Sequence, residues 1–365
     1  MKSKVVIYYT IFALLSFTAF RESNNPKPLT IYQFIFLTIL FSIFIGFRYE
    51  IGCDWEEFKR LFDFSICSYD NSCSLTQGQI QSINSQGIGY RLLTLIIKTF
   101  GGGFYSLNFV SSLLFVIPLL KFCSNLSRPY LAVLISYPYL IAVIGLGTIR
   151  QSIAIAFLLI CINQLKKYQF LNFYILNFFS ILFHYSSSIF LFLPFLIDLK
   201  KRDNLKLFRN LLYVIFLIFI ILVIFSENNY FKYQLHLYFG YNPIPIASPL
   251  LIWTMIAIPS AIIILNYKFF KDFDTNKFWR NYSIIGILMI FPIFINKVIA
   301  LRLLLYFLPI KIYCLSRLPE LLIYKFSPKY VYLSIMFFSF LILTIWFNFA
   351  NHSYCYLPYK NLLLR

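Results

Sequence analysis

Long apolar runs fill most of this chain of 365 residues and constrain its fold more than any other feature. Only 12% of the residues are charged and 60% are hydrophobic. Soluble domains carry about 25% charged residues. Inside a bilayer each backbone polar group needs a partner within the protein, so apolar runs cross the membrane as helices. The sequence therefore predicts an all-α polytopic membrane protein with about 12 transmembrane helices.

The predicted spans vary in length, and several are shorter than the usual length of about 20 residues. They lie at residues 5–20, 29–47, 104–122, 129–147, 149–165, 168–183, 185–199, 207–225, 249–267, 281–299, 301–316 and 330–350. The runs at 168–183 and 185–199 could instead form one long tilted helix. A further stretch, 89–100, is interrupted by Arg91 and Lys98 and is interpreted as an amphipathic or re-entrant helix.

Basic residues in the loops predict the orientation, because Lys and Arg concentrate on the cytoplasmic side. The densest basic loop, 200–209, is placed in the cytoplasm, and each span before and after it is taken to cross the membrane in the direction opposite to its neighbour. The predicted cytoplasmic loops include 21–28, 121–128, 200–209 and 317–329. The predicted periplasmic segments are the 48–103 loop, the 226–248 loop and the C-terminal tail. Residues 1–365 are treated as a single integral membrane domain.

The net charge of +19 resides largely in short loops, where it can meet anionic lipid, so nucleic acid is not an expected partner. The seven cysteines show no metal-ligand spacing, and no metal site is predicted. Cys67 and Cys73 share the 48–103 loop and could form a disulfide there, with two free thiols as the alternative. There is no Walker loop or dinucleotide fingerprint, so no cofactor is predicted.

Arg48 and Asp54 emerge together from the second predicted span, in the segment Arg48-Tyr-Glu-Ile-Gly-Cys-Asp54. The planar guanidinium of Arg48 suits phosphate oxygens, so we expect it where a lipid phosphate or pyrophosphate would lie. The Asp54 carboxylate follows a glycine turn and could act as a general base on a sugar hydroxyl. The structural alternative is that Arg48 extends to the headgroups and Asp54 caps the next helix.

Arg150 and Gln151 open the run that follows Gly145-Leu-Gly-Thr-Ile149. A helix N-terminus presents unpaired N–H groups and a positive dipole, and it is therefore an anion site. An arginine in the first turn opposes that dipole, so its presence there indicates a bound anion. The alternative is an interfacial arginine packed between helices. We predict that Arg150 and Gln151 bind the substrate.

His184 and Arg302 are the remaining polar candidates at the ends of apolar runs. His184 precedes Tyr-Ser-Ser-Ser188 and could accept a proton, or donate to a phosphate or sugar oxygen. A structural histidine with satisfied hydrogen bonds is the alternative. Arg302 is interpreted as opening a further helix and is a second candidate for binding phosphate.

These motifs, taken in order, resemble the Wzy/EpsG-like bacterial O-antigen and exopolysaccharide repeat-unit polymerases. In chain order they are Arg48-Tyr-x-x-Gly-x-Asp54, Gly89-Tyr90, Ile149-Arg-Gln-Ser-Ile-Ala154, Phe183-His-Tyr-Ser-Ser187, Arg302 before Tyr306-Phe307, and Leu357-Pro-Tyr-Lys360. Each motif is short; their order and the polytopic context carry the resemblance. One departure is Gln86-Gly-Ile88, where family members often have an acidic residue before the Gly-Tyr segment. That departure shifts the role of base to Asp54 and His184.

The resemblance implies a glycosyltransferase of the bacterial inner membrane, multi-pass, with its active site facing the periplasm. Such polymerases transfer a glycan from its undecaprenyl pyrophosphate carrier to the terminal sugar of another lipid-linked repeat unit. The implied fold is all-helical and similar to that of lipid-dependent, GT-C-like glycosyltransferases. The implied partners are undecaprenyl-pyrophosphate-linked oligosaccharides, membrane lipid and a chain-length regulator.

The residues and the resemblance agree on the chemistry. The leaving pyrophosphate gains negative charge, which Arg150, Arg302 or Arg48 can stabilise without a metal. Asp54, ahead of His184, is the predicted catalytic base. Two other functions use similar residues. One is a flippase for the lipid-linked repeat unit, which would be expected to show two related halves. The other is a membrane acyltransferase acting on surface glycans, with His184 as its base.

Overall fold

The computed structural model describes residues 5–70, 87–199, 203–226, 246–273 and 277–364. Within these ranges every regular element is a helix, and the one additional feature is an isolated β-bridge between Arg48 and Asn361. Six helices are long and apolar enough to cross a membrane: Phe104–Ser124, Ile149–Lys166, Ala247–Leu265, Phe278–Ile295, Lys297–Leu321 and Pro328–Phe349. The chain is therefore an all-α polytopic membrane protein.

The helices are numbered here in chain order. They are α1 (Val6–Glu22), α2 (Ile31–Gly46), α3 (Trp55–Asp70), α4 (Ile88–Thr99), α5 (Phe104–Ser124), α6 (Pro129–Ser136, continued by a π-helix over Tyr137–Gly145), α7 (Ile149–Lys166), α8 (Phe170–Phe183), a 3-10 helix (Tyr185–Leu196), α9 (Asp203–Ser226), α10 (Ala247–Leu265), α11 (Tyr267–Phe273), α12 (Phe278–Leu288), α13 (Ile290–Ile295), α14 (Lys297–Leu304), α15 (Leu308–Leu321) and α16 (Pro328–Phe349). The chain divides into two compact units, Met1–Ala156 with Leu315–Arg365, and Phe157–Cys314.

Close contact between α2 and α5 forms one side of the first unit. A capping box starts α2, since the Thr30 hydroxyl accepts from the Gln33 N–H and the Gln33 side chain accepts from the Thr30 N–H. At the other end Gly46 lies against α5, and Ser112 donates to the carbonyl of Ser42 at 3.1 Å. Small residues let apolar helices approach closely where no hydrophobic force drives them together.

Buried charges join four helix ends of the first unit. Glu22 is 4% exposed, and its carboxylate accepts from the first two free N–H groups of α6 at 3.3 and 3.0 Å. Arg128 donates to the Tyr332 hydroxyl at 2.9 Å and lies 3.6 Å from the Glu320 carboxylate. A carboxylate at a helix N-terminus meets the positive end of the helix dipole. These contacts connect α1, α6, α15 and α16.

The second unit contains the break between the two apolar runs at 168–183 and 185–199. His184 adopts an extended backbone, with φ −153° and ψ 111°, so α8 ends at Phe183 and a 3-10 helix begins at Tyr185. The alternative of one long helix across these runs is therefore wrong. The helix predicted at 89–100, in the first unit, is present as α4.

The helix that carries Arg302 begins earlier than the sequence suggested. Asn296 is its N-cap, because its side-chain oxygen accepts from the N–H groups of Val298 and Ile299 at 3.0 Å each. Arg302 consequently lies in the last turn of α14 and does not open a helix. The break between the spans predicted at 281–299 and 301–316 moves to residue 296. Arg302 therefore does not lie at a helix N-terminus, where unpaired N–H groups would favour an anion.

We expect Gly46→Ala to destabilise the first unit. An added Cβ would lie 2.6 Å from the Phe109 Cα, which is backbone and cannot rotate away, so α2 and α5 must separate. The expected cost is about 1–3 kcal/mol, as for other overpacked interiors. The thermal midpoint of the purified protein in detergent measures it. Gly103→Ala is the matched control, because nothing lies within 4 Å of its added Cβ. Equal midpoints for the two variants would contradict the close packing.

Candidate functional site

The C-terminal segment 352–364, here called the strap, lies along the turn 47–55 that follows α2. Three backbone hydrogen bonds join them: Leu362 N–H to Phe47 C=O at 2.8 Å, Tyr49 N–H to Lys360 C=O at 3.0 Å, and Gly52 N–H to Cys355 C=O at 3.0 Å. The two segments are about 300 residues apart in sequence, yet their backbones pair from Phe47 to Gly52. The motifs at both ends of the chain therefore belong to one local structure.

Side chains reinforce this pairing. A disulfide joins Cys53 to Cys355, with Cα atoms 5.2 Å apart, and Lys360 forms an ion pair with Glu50 at 2.7 Å. The disulfide was not predicted, because its cysteines are 302 residues apart and no spacing rule relates them. The pairing considered for Cys67 and Cys73 lies outside the residues whose side chains the structure describes.

Arg48 lies beneath the strap and is 2% exposed. Its guanidinium donates to the carbonyls of Ile45 at 2.8 Å and Ile51 at 3.3 Å, and no carboxylate in the described part of the chain pairs with it. Burial lowers the pKa of Arg48 to about 10, although nearby tyrosines act in the opposite direction. Arg48 therefore does not extend to headgroups. It holds the end of α2 against the turn that leads to Asp54.

Asp54 stands at the start of α3 with its carboxylate exposed. Its backbone carbonyl accepts from the Phe58 N–H at 3.0 Å, so the residue occupies the first turn of the helix. The carboxylate itself makes no hydrogen bond to any described residue, and the structure does not show the capping role considered as an alternative. Burial raises the pKa of the Tyr356 phenol, and the charge of Asp54 adds to that rise. The predicted base is accessible and lies near the strap.

Arg150 occupies the first turn of α7, as predicted, and Gln151 beside it is buried. The Arg150 guanidinium carbon lies 5.2 Å from the centre of the Phe58 ring on α3, a cation–π distance. A short connection, residues 146–148, separates α7 from the π-helix that ends at Gly145. The Tyr356 hydroxyl of the strap approaches this connection and donates to the Val143 carbonyl at 3.3 Å.

Tyr90 on α4 completes the same cluster, although in the sequence it stands out only as part of the Gly89-Tyr90 motif. The residue is 1% exposed, and its hydroxyl has no hydrogen-bond partner among the described residues. Its ring packs edge-on against Phe58 with centroids 5.7 Å apart. Burial raises the pKa of Tyr90 to about 12, and the charges of Arg48 and Arg150 oppose that rise. A neutral phenol thus lies close to both arginines.

His184 and Arg302 belong to the second unit. The His184 Nδ1 lies 2.6 Å from the Ser186 hydroxyl and 3.3 Å from the Tyr306 hydroxyl, and those two hydroxyls are 3.1 Å apart. Arg302 is half-buried on α14, which packs against the 3-10 helix that follows His184. The structure thus groups Arg48, Asp54, Arg150 and Gln151 in the first unit, and it places His184 and Arg302 on neighbouring elements of the second.

Comparison with known proteins assigns the chain to a family. A model of the EpsG family matches residues 31–361, nearly the whole sequence. The chain belongs to the EpsG family. The EpsG family is a Wzy-like polymerase family, and membership indicates a polysaccharide repeat-unit polymerase with glycosyltransferase-like chemistry. The matched range includes every predicted site residue and the strap as far as Asn361. No curated protein and no solved structure matches this EpsG-family chain.

We expect Gly147→Ala to displace the strap of this EpsG-family protein. An added Cβ would overlap the Tyr356 hydroxyl, so the phenol must leave the Val143 carbonyl. The expected result is a lower thermal midpoint and a loss of polysaccharide chain length. Tyr356→Phe in the same protein removes the overlapping oxygen and should restore part of both. If the double variant has the same thermal midpoint and chain length as Gly147→Ala alone, overlap with the Tyr356 hydroxyl is not the reason that position 147 requires glycine.

Proposed function

We propose that this protein joins undecaprenyl-pyrophosphate-linked oligosaccharide repeat units into O-antigen or capsular polysaccharide at the periplasmic face of the inner membrane. The observation that carries the proposal is the EpsG-family match over residues 31–361. The motifs from Arg48 to Lys360 support it, because the fold brings the first and the last of them together. A chain-length regulator is proposed as a partner on the resemblance alone.

The proposed architecture has about 12 transmembrane helices and is similar to GT-C-like glycosyltransferases. Besides the six long spans, four shorter apolar helices lie at Ile31–Gly46, Pro129–Gly145, Phe170–Phe183 and Tyr185–Leu196. Together with α1 and α9 they correspond one to one with the twelve predicted runs. Short helices still span when the bilayer thins locally or flanking residues extend to the interface.

The contacts within the first unit support the proposed orientation. The disulfide joins the predicted periplasmic loop 48–103 to the predicted periplasmic tail. Disulfides persist in the periplasm and are rare in the cytosol. The interacting charged residues Glu22, Arg128 and Glu320 come from the ends of loops that were all predicted to be cytoplasmic. Segments predicted to lie on the same side of the membrane thus contact each other in the fold, at the disulfide and at the Glu22, Arg128 and Glu320 contacts.

The proposed reaction forms a glycosidic bond without a metal or a nucleotide. The acceptor hydroxyl oxygen attacks the anomeric carbon of the donor sugar, and the bond from that carbon to the pyrophosphate breaks. The pyrophosphate leaves with the electron pair, and the hydroxyl proton passes to a base. Arg150 and Gln151 are proposed to bind the leaving pyrophosphate, with Arg302 as a second cation. Preorganised positive charge is the chief means of stabilising such a leaving group.

Asp54 is proposed as the base, ahead of His184. Its carboxylate is exposed, unlike the buried arginine six residues before it, and is therefore able to meet a sugar hydroxyl. Arg48 was expected in the lipid phosphate region, but its side chain is buried. It is proposed to contribute a positive charge from that buried position. Its hydrogen bonds to Ile45 and Ile51 fix the turn that presents Asp54.

A polysaccharide gel of a strain lacking this gene, beside the complemented strain, tests the activity. A polymerase predicts that the ladder collapses to a single repeat unit and returns on complementation. Accumulation of repeat units on the cytoplasmic side would instead support the flippase. An intact ladder with a small loss of mass from the glycan would support the acyltransferase. Either of the last two results would overturn the polymerase.

We expect Arg150→Ala to abolish long-chain polysaccharide while single repeat units are still made. Loss of one donor to a developing anion costs about 100- to 1,000-fold in rate. Arg150→Lys keeps the charge without the planar fork and should retain part of the activity. The matched control is Arg60→Ala, which removes an exposed arginine from α3. A normal ladder from a well-expressed Arg150→Ala strain would remove Arg150 from the mechanism.

We expect Asp54→Asn to lower turnover by about 100-fold or more, because the amide cannot accept the hydroxyl proton. Glu57→Gln serves as the control, since it neutralises an exposed carboxylate in the first turn of the same helix. Turnover is measured with purified protein and lipid-linked oligosaccharide extracted from the strain that lacks the gene. If Asp54→Asn and Glu57→Gln lower turnover equally, the loss comes from removing negative charge at the start of α3, and Asp54 is not the base.

A further inference from the structure

The disulfide between Cys53 and Cys355 has a histidine beside it. The His352 Nδ1 lies 3.7 Å from the Cys53 Sγ, and the His352 carbonyl oxygen lies 3.9 Å from the same sulfur. The proposed base, Asp54, directly follows Cys53 in the chain. The proposed glycosyl transfer itself uses neither the histidine nor the two sulfurs.

A short turn holds the imidazole against the Cys53 sulfur. The Cys355 N–H donates to the His352 carbonyl at 3.2 Å, at the start of the 3-10 helix Ser353–Tyr356. The Gly52 N–H donates to the Cys355 carbonyl at 3.0 Å, which places this turn beside the residue that precedes Cys53. Both hydrogen bonds use the backbone of residue 355, so neither requires its sulfur. The imidazole can therefore stay beside Cys53 when the disulfide is open.

The two sulfurs of the bond differ in their access to solvent. Cys53 is exposed, as is His352, whereas Cys355 is half-buried. A partner in solution therefore meets the Cys53 sulfur first. Exposed disulfides are the labile and regulatory ones, because exchange requires an incoming thiolate to reach a sulfur. The described free cysteines are all fully buried: Cys123, Cys161 and Cys314.

Local charges decide whether the Cys53 thiol ionises once the disulfide is open. The Asp54 carboxylate next to it in the chain opposes a second negative charge, whereas the Glu50 carboxylate is paired with Lys360 at 2.7 Å. The imidazole of His352 is available as a proton acceptor 3.7 Å away. A neighbouring histidine and a helix N-terminus, here the start of α3, both favour a thiolate over a thiol. The thiolate is the form that exchanges with disulfides.

The rest of the strap has contacts of its own that do not depend on the disulfide. The Tyr8 hydroxyl donates to the Tyr356 carbonyl at 2.9 Å, and the Tyr359 hydroxyl donates to the Phe44 carbonyl at 2.7 Å. Opening the disulfide therefore frees mainly the part of the strap before Tyr356 and the turn that leads to Asp54. The expected effect is on turnover and not on the fold of the first unit.

We propose that Cys53, Cys355 and His352 form a thiol–disulfide exchange site, at which a protein disulfide closes the end of the strap and a protein dithiol opens it. The control of polymerisation by this site rests on the proposed function. When the bond is closed, Cys53 is fixed to the strap, and Asp54 beside it is held at the start of α3. When the bond is open, that covalent attachment is lost and turnover falls.

Closing the bond takes two exchange steps. The Cys53 thiol gives its proton to the His352 Nδ1, and its sulfur attacks one sulfur of the partner's disulfide, whose other sulfur leaves as a thiolate. Cys355, as its thiolate, then attacks the Cys53 sulfur of the mixed disulfide and releases the second sulfur of the partner. The protons of the cysteines end on the partner's sulfurs. The cysteine pair is oxidised and the partner reduced by the same electron pair, and a dithiol partner opens the bond by the reverse steps.

The first test measures exchange with glutathione disulfide in a parent protein whose Cys67 and Cys73 are replaced by serine. In that parent, Cys355→Ser leaves Cys53 free, and Cys53→Ser leaves Cys355 free. We expect free Cys53 to form the mixed disulfide about 3- to 10-fold faster than free Cys355, because a larger thiolate fraction outweighs its lower nucleophilicity. Mass spectrometry of the intact protein after acid quenching follows the reaction. Equal rates, or a faster Cys355, overturn the proposal.

The role of the imidazole is tested in the Cys355→Ser protein. Adding His352→Gln should slow the reaction of Cys53 by about 3- to 10-fold, because the amide does not accept the thiol proton. Misfolding would expose the sulfur further and would not slow its reaction. Asn351→Ala is the matched control, since it removes the exposed side chain next to the histidine, and it should leave the rate unchanged. An unchanged rate in His352→Gln overturns the proposal.

The control of polymerisation is tested by comparing kcat of the oxidised, reduced and reoxidised parent protein, with lipid-linked oligosaccharide extracted from the strain that lacks the gene. We expect dithiothreitol to lower kcat by about 10- to 100-fold, as small displacements of a catalytic group do. Glutathione disulfide should restore it. The parent with both Cys53→Ser and Cys355→Ser should have the low kcat with or without dithiothreitol, because it has no bond to open.

Two results of the turnover test overturn the proposal while the polymerase stands. One is an unchanged kcat in parent protein whose Cys53–Cys355 bond is shown by mass to be open. The other is a bond that dithiothreitol opens only after the protein is denatured. An oxidised protein that adds no repeat units shows instead that the proposed function is wrong. The exchange rates of Cys53 and Cys355 do not depend on polymerisation, so they still test the exchange site in that case.

Discussion

Arg48 is buried and pairs with no carboxylate in the described part of the chain, so its guanidinium must be stabilised by dipoles, which the first unit supplies. Removing an ion from water costs several kcal/mol even after relaxation. The carbonyls of Ile45 and Ile51 meet the charge, and phenol rings surround it. The strap covers the turn that contains it. Without that cover the turn would open to water, and the end of α2 would lose its connection to Asp54.

Aromatic side chains connect the turn and the strap to the neighbouring helices. Tyr356 extends from the strap to the connection before α7, where Gly147 leaves room for its hydroxyl. Phe58 lies between Tyr90 and Arg150, so α3, α4 and α7 meet at one ring. The Arg150 guanidinium and the Tyr90 phenol both pack against this ring, so the cluster holds a charged side chain beside a buried polar one.

Much of this arrangement follows from the sequence, and the parts that do not have physical reasons. The glycines before Arg150 predicted the start of α7, and the charges in 89–100 set α4 apart from the spans. Arg302 was misplaced because Asn296 interrupts an apolar run only briefly, although Asn is a strong capping residue. The strap escaped prediction because backbone hydrogen bonds carry no residue signature. The Cys53–Cys355 bond joins segments that only the fold brings together, and the setting of Tyr90 depends on three helices at once.

The first unit is discontinuous in sequence, and this affects when it can be completed. Residues up to Ala156 are made early, whereas the strap that pairs with them follows more than 150 residues of the second unit. Domains synthesised at about 5–20 residues per second leave a delay of order ten seconds or more over such a stretch. Until residue 361 has been synthesised, Arg48 and the turn around it lack the strap that covers them. The helices α2, α3 and α7 are thus made well before the strap, so the structure around Arg48 is completed late in synthesis.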